Sequence, residues 1–247
     1  MSAKSGTGTL YLLPAGLGSG ALGNVLAGSV LSLAGRLTHF VAENPKSARA
    51  FLKHAGYPRP LAEASIATLD KNTPEAAIPG LLGPLQRGMD VGLLSEAGCP
   101  AVADPGALLV LAAHRAGIAV VPLVGPSSIL LALMASGLNG QRFSFHGYLP
   151  VADAGRAKAL QALERRSLRE GATQIFIETP YRNEVMLRAL LDHCADKTWL
   201  CIATDLTLPT EQVATRRIAE WRRKPPALDR RPSVFLLLAD AAAPRIT

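Results

Sequence analysis

At residues 95–106 the chain reads Ser95-Glu96-Ala97-Gly98-Cys99-Pro100-Ala101-Val102-Ala103-Asp104-Pro105-Gly106, directly after the apolar run 91–94. This pattern predicts a buried strand, then a loop of small residues, then a helix that opens at Asp104 and Pro105. Such a loop leaves backbone N–H and C=O groups free to bind a flat, polar small molecule. A second loop of this kind, Val124-Gly125-Pro126-Ser127-Ser128, follows a predicted strand at 118–122. The two loops together predict a cofactor-binding crevice.

Strands and helices alternate on both sides of these loops. In the N-terminal part we predict strands at 9–13, 39–42, 91–94 and 118–122, and helices at 24–34, 75–86, 107–116 and 127–136. A further helix begins after Asn44, because asparagine caps helices and Pro45 suits the first helical position. This alternation is typical of βαβ units and predicts a mainly parallel sheet covered on both faces.

The composition changes after Gly147-Tyr148-Leu149-Pro150, where arginine, lysine and glutamate become frequent. We therefore predict an N-terminal α/β domain at 1–147 that carries the cofactor loops, and a C-terminal α/β domain at 148–247. The predicted C-terminal elements are helices at 155–169 and 184–193 and strands at 174–177, 200–203 and 234–238.

Several classes of protein are disfavoured by the composition. Residues 1–8 contain no apolar signal segment, which predicts a cytoplasmic protein. The uncharged stretch 116–141 is long enough for a membrane span, but Pro122, Gly125 and Pro126 interrupt it, so we expect none. The three cysteines form no C-x-x-C pair and the five histidines lack ligand spacing, so we expect neither a disulfide framework nor a metal site.

The positive charge is concentrated in the C-terminal part. The formal net charge is +7, and residues 142–247 carry 17 basic and 12 acidic side chains, against 9 and 7 in residues 1–141. Seven of the cations lie within the run 216–231. Such a run attracts phosphates if it folds onto one face, or it forms a solvated edge that aids solubility; the sequence leaves both interpretations open.

Gly18-Ser19-Gly20-Ala21-Leu22-Gly23 matches the G-x-G-x-x-G pattern of dinucleotide-binding folds. Glu43, after the second predicted strand, stands where such folds place a ribose-binding carboxylate. The first strand ends at Pro14, several residues before Gly18, which disfavours this interpretation. An NAD- or FAD-dependent oxidoreductase that uses Gly18, Gly20 and Gly23 remains an alternative.

Six segments occur in an order typical of one known family. They are Thr9-Leu10-Tyr11-Leu12-Leu13-Pro14, Ser95-Glu96-Ala97-Gly98-Cys99-Pro100, Ala103-Asp104-Pro105-Gly106, Val121-Pro122-Leu123-Val124-Gly125-Pro126, Arg142-Phe143 with Gly147-Tyr148-Leu149-Pro150, and Glu178-Thr179-Pro180-Tyr181-Arg182. Over nearly its full length the chain resembles the S-adenosylmethionine-dependent tetrapyrrole-methylase superfamily. The resemblance is strongest to the branch of the ribosomal-RNA small-subunit methyltransferase I (cytidine 2′-O-methyltransferase) proteins.

The resemblance implies an α/β fold of two domains, with a mainly parallel sheet in the N-terminal domain, a mixed α/β C-terminal domain, and a cofactor cleft between them. It implies S-adenosylmethionine as the cofactor and a homodimer as the assembly. By position, the implied cofactor contacts, mostly through backbone groups, are Leu17, Ala97, Gly98, Cys99, Val102, Ser127, Ser128, Glu178 and Asp205.

Transfer of a sulfonium methyl group requires mainly alignment and exclusion of water. A ribose hydroxyl acceptor also requires a general base, for which Glu96, Asp104 and Glu178 are the candidates. Asp104 is favoured instead as a helix N-cap. Tyr181 and Arg182 are predicted to bind substrate, although Arg182 could equally balance the charge of Glu178.

The chain also departs from the RNA-methylating branch. Glu43-Asn44-Pro45-Lys46 replaces an acidic-threonine-arginine run, Glu96 replaces the usual aspartate, and the chain stops soon after Leu238, without the relatives' C-terminal extension. These departures affect RNA specificity more than cofactor binding. The leading hypothesis is a methyltransferase acting on an RNA nucleotide. A tetrapyrrole methyltransferase and a non-catalytic RNA-binding protein remain as alternatives.

Overall fold

The computed structural model describes residues 6–239. Residues 1–5, which form part of the segment used to predict a cytoplasmic protein, lie outside the described residues, as do residues 240–247. The chain forms two compact units, one ending at Ser127 and the other beginning at Ser128. The domain boundary predicted from composition, between 147 and 148, stays a prediction.

The first unit contains a five-stranded, wholly parallel sheet. Its strands are β1 (Leu10–Leu13), β2 (His39–Ala42), β3 (Ser65–Thr68), β4 (Val91–Leu94) and β5 (Val120–Pro122). They lie in the order β3-β2-β4-β1-β5, so β2, β4 and β1 are interior strands. All four residues of the central strand β4 are buried. The parallel arrangement confirms the sheet expected from the βαβ pattern.

Five helices accompany this sheet. They are α1 (Gly28–Arg36), α2 (Pro45–His54), α3 (Ile78–Leu81), α4 (Gly83–Gln86) and α5 (Gly106–Arg115). The predicted cap of α2 is present, because Asn44 Oδ1 accepts a hydrogen bond from the Lys46 N–H at 2.9 Å.

Two apolar clusters cover the two faces of this sheet. Leu93 packs with Leu10, Leu85 and Leu109 on one face, whereas the next residue, Leu94, packs on the other face in the cluster of α1 and α2. Successive side chains of a strand point to opposite faces, so a continuously apolar strand is buried on both sides. Burial of β4 on both faces fixes the position of the loop that follows it.

The second unit contains a mixed sheet and four helices. Its strands are β6 (Phe143–Tyr148), β7 (Thr173–Glu178), β8 (Trp199–Thr204), β9 (Gln212–Arg217) and β10 (Ser233–Leu238), in the order β6-β7-β10-β8-β9. Only the β6–β7 pairing is parallel. The helices are α6 (Ser128–Ser136), α7 (Asp153–Glu170), α8 (Asn183–His193) and α9 (Ile218–Arg223).

The core of this unit lies around the central strands. Phe176 of β7 and Phe235 of β10 are fully buried and stack with their ring centroids 5.8 Å apart. All six residues of β10 are buried between β7 and β8. Among residues 6–239, no helix combines the length and the apolar character that a membrane crossing requires.

Two helix predictions were wrong, and three strands were not predicted. The predicted helix at 75–86 is divided into a 3₁₀ turn and the short helices α3 and α4, because Pro79, Gly83 and Pro84 interrupt it. The predicted helix at 24–34 begins later, at Gly28. Strands β3, β6 and β9 were not predicted. All three are edge strands, and β9 also lies within a charged segment.

Candidate functional site

In the first unit, the loops that follow β1, β4 and β5 contact one another through their main chains. The Ala15 N–H donates to the Gly98 carbonyl at 2.9 Å, forming a bridge between the first two loops. The Ser95 hydroxyl donates to the same carbonyl at 2.8 Å. The Cys99 Sγ donates to the Pro126 carbonyl at 3.5 Å, which joins the third loop. The two loops predicted to form a crevice therefore lie together, with the β1 loop against them.

Two glycines allow this close approach. Gly98 has φ +70°, and a Cβ atom there would lie 3.2 Å from Leu17 Cδ2 and 3.3 Å from the Pro126 carbonyl oxygen. A Cβ atom at Gly125 would lie 2.3 Å from the Pro14 side chain. Any larger residue at either position would push the loops apart.

The chain after Gly98 is held in an uncommon backbone conformation. Ala101 and Ala103 have φ values of +64° and +58°, which residues with a Cβ rarely adopt. Asp104 Oδ1 accepts hydrogen bonds from the N–H groups of Ala101 at 3.1 Å and Gly106 at 2.6 Å. Burial raises the pKa of Asp104, and the two N–H donors partly oppose that rise. The carboxylate thus fixes the loop and the first residue of α5. The N-cap of α5 is Pro105, so the predicted N-cap role of Asp104 was wrong.

The predicted cofactor residues of this unit surround the three loops. The Leu17 side chain lies next to Gly98. Ala97 and Val102 are exposed, and Ser127 is half-buried. Burial raises the pKa of the half-buried Cys99 thiol, which keeps it protonated and unreactive at neutral pH. Val124 is 82% exposed. The result is a main-chain surface with small or apolar side chains at its edge.

Carboxylates lie along the same edge of the sheet. The pKa of Glu43 is raised by partial burial and by the charges of Glu96, Asp104 and Asp70, against a smaller opposing effect of Lys71. Glu96 is exposed, and its side chain makes no hydrogen bond or ion pair with residues 6–239. No group of three or more His, Cys, Asp and Glu side chains in that range is arranged to hold a metal ion.

In the second unit, Glu178 at the end of β7 is enclosed by donors. Its side chain is 1% exposed, and Oε1 accepts from Arg182 Nε at 2.9 Å and Nη2 at 2.6 Å. The Thr179 N–H and hydroxyl donate to the same oxygen. Of the two roles left open for Arg182, the structure shows the one in which it balances Glu178.

Asp205, after β8, is held in a similar way. It is buried with φ +51°, and Oδ2 accepts from Arg231 Nε at 2.7 Å and the Thr210 hydroxyl at 2.7 Å. Arg231 also donates to Gln212 Oε1 and to the Thr210 carbonyl. Arg231 therefore fixes the β8–β9 connection. Ser128, the remaining predicted cofactor residue of this unit, is the half-buried first residue of α6.

The basic run 216–231 is divided by the fold. Arg222 donates to the carbonyls of Leu191 and Cys194 and to Asp196. Arg216 and Arg217 lie over the rings of Trp221 and Trp199, at 4.8 and 4.2 Å from the ring centroids. The run also contains exposed cations whose side chains form no hydrogen bond or ion pair within the described chain. These are Arg223, Lys224 and Arg230.

The sequence analysis did not predict that Glu43 lies close enough to Glu96 for the charge of Glu96 to raise its pKa. It considered Glu43 as the ribose carboxylate of a dinucleotide fold and as part of the segment 43–46 that departs from the RNA-methylating branch. The positions of the two residues could have predicted this proximity. Glu43 follows β2 and Glu96 follows β4, and the carboxyl ends of adjacent parallel strands lie at the same edge of the sheet. The glycine pattern ending at Gly23 runs into a 3₁₀ turn at Leu22–Asn24 and does not open an α-helix, because α1 begins at Gly28. This geometry does not support the oxidoreductase alternative.

Comparison with known sequences gives consistent matches. The profile of the family described as Tetrapyrrole (Corrin/Porphyrin) Methylases matches residues 9–221. Ribosomal RNA small subunit methyltransferase I of Escherichia coli O157:H7 is 32% identical over 219 residues, which are 89% of this chain and 72% of that protein. The protein of the same name from Vibrio cholerae serotype O1 is 31% identical over 216 residues, covering 87% and 71%.

Solved structures show the same fold. The methyltransferase CobJ superposes with a TM-score of 0.63 at 18% identity, covering 98% of both chains. Uroporphyrin-III-C-methyltransferase from Thermus thermophilus superposes with a TM-score of 0.52 at 22% identity, covering 94% of this chain and 92% of that one.

Proposed function

We propose a specific function on the premise that this chain belongs to the tetrapyrrole (corrin/porphyrin) methylase family. It is a methyltransferase that uses S-adenosylmethionine. The proposed acceptor is a ribose 2′-hydroxyl of ribosomal RNA, because the named relatives are ribosomal RNA methyltransferases. The observation that carries the proposal is the contact between the three loops of the first unit through Ala15, Gly98 and Pro126.

The residues of these loops fit the cofactor chemically. Gly98 and Gly125 leave no room for side chains, so backbone groups line the surface and can bind an adenosyl group. Exposed Val102 and Val124 offer apolar contacts for the adenine ring. S-adenosylmethionine carries a sulfonium and an ammonium group, and the carboxylates of Glu43 and Glu96 favour such a cation. When bound, this cofactor supplies a methyl group that is already activated.

The proposed cofactor contacts in the first unit are Leu17, Ala97, Gly98, Cys99, Val102 and Ser127. For the second unit, Ser128, Glu178 and Asp205 stay predictions from the resemblance. Backbone groups provide most of those in the first unit. The carboxylates of Glu178 and Asp205 are already held by Arg182 and Arg231, so they act as fixed acceptors.

Among the three candidate bases, Glu96 is assigned the proton-accepting role. Asp104 uses its Oδ1 to hold the loop, and Glu178 is paired with Arg182. Glu96 is exposed beside the loops, and its carboxylate has no partner among the described residues. An unpaired carboxylate can accept the proton of a hydroxyl group that is within hydrogen-bond distance. Asp104 and Glu178 then serve as positioning residues.

RNA binding is assigned to the second unit. Arg223, Lys224 and Arg230 are exposed cations that can neutralise phosphates. Tyr181 is exposed beside Arg182, and both are proposed substrate contacts.

The proposal includes a homodimer in the cytoplasm, where ribosomes are assembled. Helix α5 supports the dimer, because Leu108 and Leu111 are exposed on it beside Ile78 and Pro79. Sedimentation equilibrium should give twice the chain mass for the wild type. Leu111→Glu should shift the equilibrium toward the single-chain mass, and a wild-type monomer at all concentrations would contradict the dimer.

The function is tested with methyl-labelled S-adenosylmethionine and bacterial small ribosomal subunits. We expect label in the RNA, in a nucleotide whose 3′ linkage resists alkaline hydrolysis, since that resistance marks a methylated 2′-hydroxyl. A parallel reaction with uroporphyrinogen III tests the tetrapyrrole alternative. Label in the tetrapyrrole and none in RNA would overturn the proposed acceptor.

The assignment of the base is tested with Glu96→Gln, and Glu63→Gln serves as a control because Glu63 is an exposed carboxylate in a different segment. We expect kcat for RNA methylation to fall by about 100-fold or more in Glu96→Gln. Affinity for S-adenosylhomocysteine should change much less. Full activity of Glu96→Gln would remove this residue from the mechanism.

A further inference from the structure

Two tyrosines are unusually exposed at one end of the second sheet. Tyr148, the last residue of β6, is 56% exposed, and Tyr181, in the turn after β7, is 65% exposed. Strands β6 and β7 are adjacent and parallel, and Tyr148 pairs in register with Ile177, the residue before Glu178. Both tyrosines therefore lie at the same carboxyl-terminal edge. Exposed aromatic residues gathered at one site are typical of binding surfaces.

Arg182 lies against one of these tyrosines, at the edge that both share. Its guanidinium carbon lies 5.3 Å from the centroid of the Tyr181 ring. The hydrogen bonds that Arg182 donates to Glu178 raise the pKa of Arg182, with smaller contributions from the charges of Glu178, Tyr181 and Tyr148. The guanidinium is thus a planar group against the exposed Tyr181 ring, at the strand edge where Tyr148 is also exposed.

Glu178 determines which kind of ligand the Arg182 guanidinium can bind. It accepts two hydrogen bonds from Arg182 through one carboxylate oxygen, so the guanidinium is held in place and its charge is balanced. A balanced guanidinium is a weaker phosphate ligand than the exposed Arg223 or Lys224. Its flat face still stacks on aromatic groups, and little conformational entropy is lost because the side chain is already fixed.

We propose that Tyr148, Tyr181 and Arg182 form a stacking platform for an unpaired nucleobase of the RNA substrate. This inference rests on the proposed function. Unpaired bases stack on tyrosine rings and on arginine planes, whereas bases inside a duplex are not accessible to them. The platform contributes base stacking, and the exposed cations of the same unit contribute phosphate contacts. The site is therefore suited to a single-stranded segment of RNA.

The test compares two eight-nucleotide RNAs, one with cytosine at every position and one with abasic sites at the four central positions. Both carry the same number of phosphates, so a difference in affinity reports on the bases. The wild type should bind the base-containing RNA about tenfold more tightly. Tyr148→Ala and Tyr181→Ala should each reduce this preference severalfold, and Tyr181→Phe should retain it.

Phe143→Ala is the matched control, because Phe143 is an exposed aromatic residue at the opposite end of β6. It should keep the full preference. The salt dependence of binding should be unchanged in the tyrosine variants and shallower in Arg223→Ala, since only the latter removes a phosphate contact.

The outcomes separate the platform from the proposed function. Equal binding of both RNAs by a wild type that methylates ribosomal RNA would overturn the platform and leave the function intact. Tyrosine variants that lose affinity for S-adenosylhomocysteine as strongly as for RNA would also overturn it, because the tyrosines would then serve the cofactor. A wild type that binds neither RNA would overturn both proposals.

Discussion

The strand ends of the two units are stabilised in different ways. In the first unit the loops are joined by main-chain contacts such as Ala15 to Gly98, and the carboxylates beside them, Glu43 and Glu96, have no basic partner in a hydrogen bond or ion pair among residues 6–239. In the second unit the corresponding carboxylates, Glu178 and Asp205, are each held by an arginine. Small residues thus leave the backbone accessible in one unit, whereas ion pairs fix the side chains in the other.

This difference separates binding from stability. Substitutions in the loops of the first unit should mainly impair ligand binding, because few buried polar groups depend on them. Substitutions of the arginines in the second unit should mainly impair stability, because each would leave a buried carboxylate without its partner.

The largest expected effect is at Gly98. Gly98→Val places a branched side chain against Leu17 and the Pro126 carbonyl, so we expect affinity for S-adenosylhomocysteine to fall by at least about 100-fold, measured by calorimetry. Gly117→Val is the matched control, because Gly117 has nearly the same φ, +67°, but its Cβ position faces open space. Gly117→Val should bind like the wild type. Wild-type affinity in Gly98→Val would show that ligand binding does not depend on this loop.

The next effect is at Arg182. Arg182→Met leaves the buried Glu178 carboxylate unpaired and should lower the free energy of unfolding of the second unit by about 3 kcal/mol. Urea unfolding followed by tryptophan fluorescence reports on this unit, since Trp199 and Trp221 are the two tryptophans of the chain.

The control is Arg169→Met, because Arg169 pairs with Glu170 at an exposed site. It should cost less than about 0.5 kcal/mol. The double variant Glu178→Gln with Arg182→Met should recover part of the stability, since no buried charge remains. Equal losses in Arg182→Met and Arg169→Met would contradict the distinction between the two units.

At neutral pH the smallest effect is expected at the buried thiols of the second unit, which act only at alkaline pH. Burial raises the pKa of Cys194 to about 12 and that of Cys201 to about 11, from an ordinary value of 9.0. Ionisation of a thiol then favours the unfolded chain. The contribution of each protonated thiol to the free energy of unfolding is therefore complete below pH 9 and is lost as the pH rises toward 11–12. Each thiol should lower the free energy of unfolding by about 1.4 kcal/mol per pH unit in that window.

The double variant Cys194→Ala with Cys201→Ala should show a shallower loss of stability between pH 9 and 11 than the wild type. The slope is the relevant measurement, because the substitutions also leave small cavities that lower stability at every pH. Cys99→Ala should leave the slope of the tryptophan-detected transition unchanged. An unaltered slope in the double variant would show that other groups control alkaline unfolding.

Much of the fold was predictable because its strongest signals are local. The apolar run of β4, the Asn44–Pro45 cap and the small-residue loop at 95–106 each specify their own conformation. Strand β3 was missed because a short edge strand buries too little to leave an apolar pattern. The helix predicted at 75–86 failed because its apolar spacing was weighed above the helix-breaking effect of Pro79 and Pro84.

The site was predictable in its loops but less so in its charges. The close approach of the loop backbones follows from the small size of their residues, which the sequence displays directly. The partner of a charged side chain depends on long-range contacts instead, and the pairing of Asp205 with Arg231 across 26 positions leaves no local pattern. The basic run 216–231 therefore looked uniform in sequence, although Arg222 and Arg231 serve the fold and Arg223 and Lys224 are exposed.

The central position of β10 has a consequence for the order in which the protein is made. All five strands of the first sheet have been synthesised by residue 122, so pairing there can be completed while the ribosome is still translating. In the second sheet, β10 lies between β7 and β8. Until residue 238 has emerged, the edges of β7 and β8 that pair with β10 have no hydrogen-bonding partner. During that interval their apolar edges are open to chaperones and to self-association.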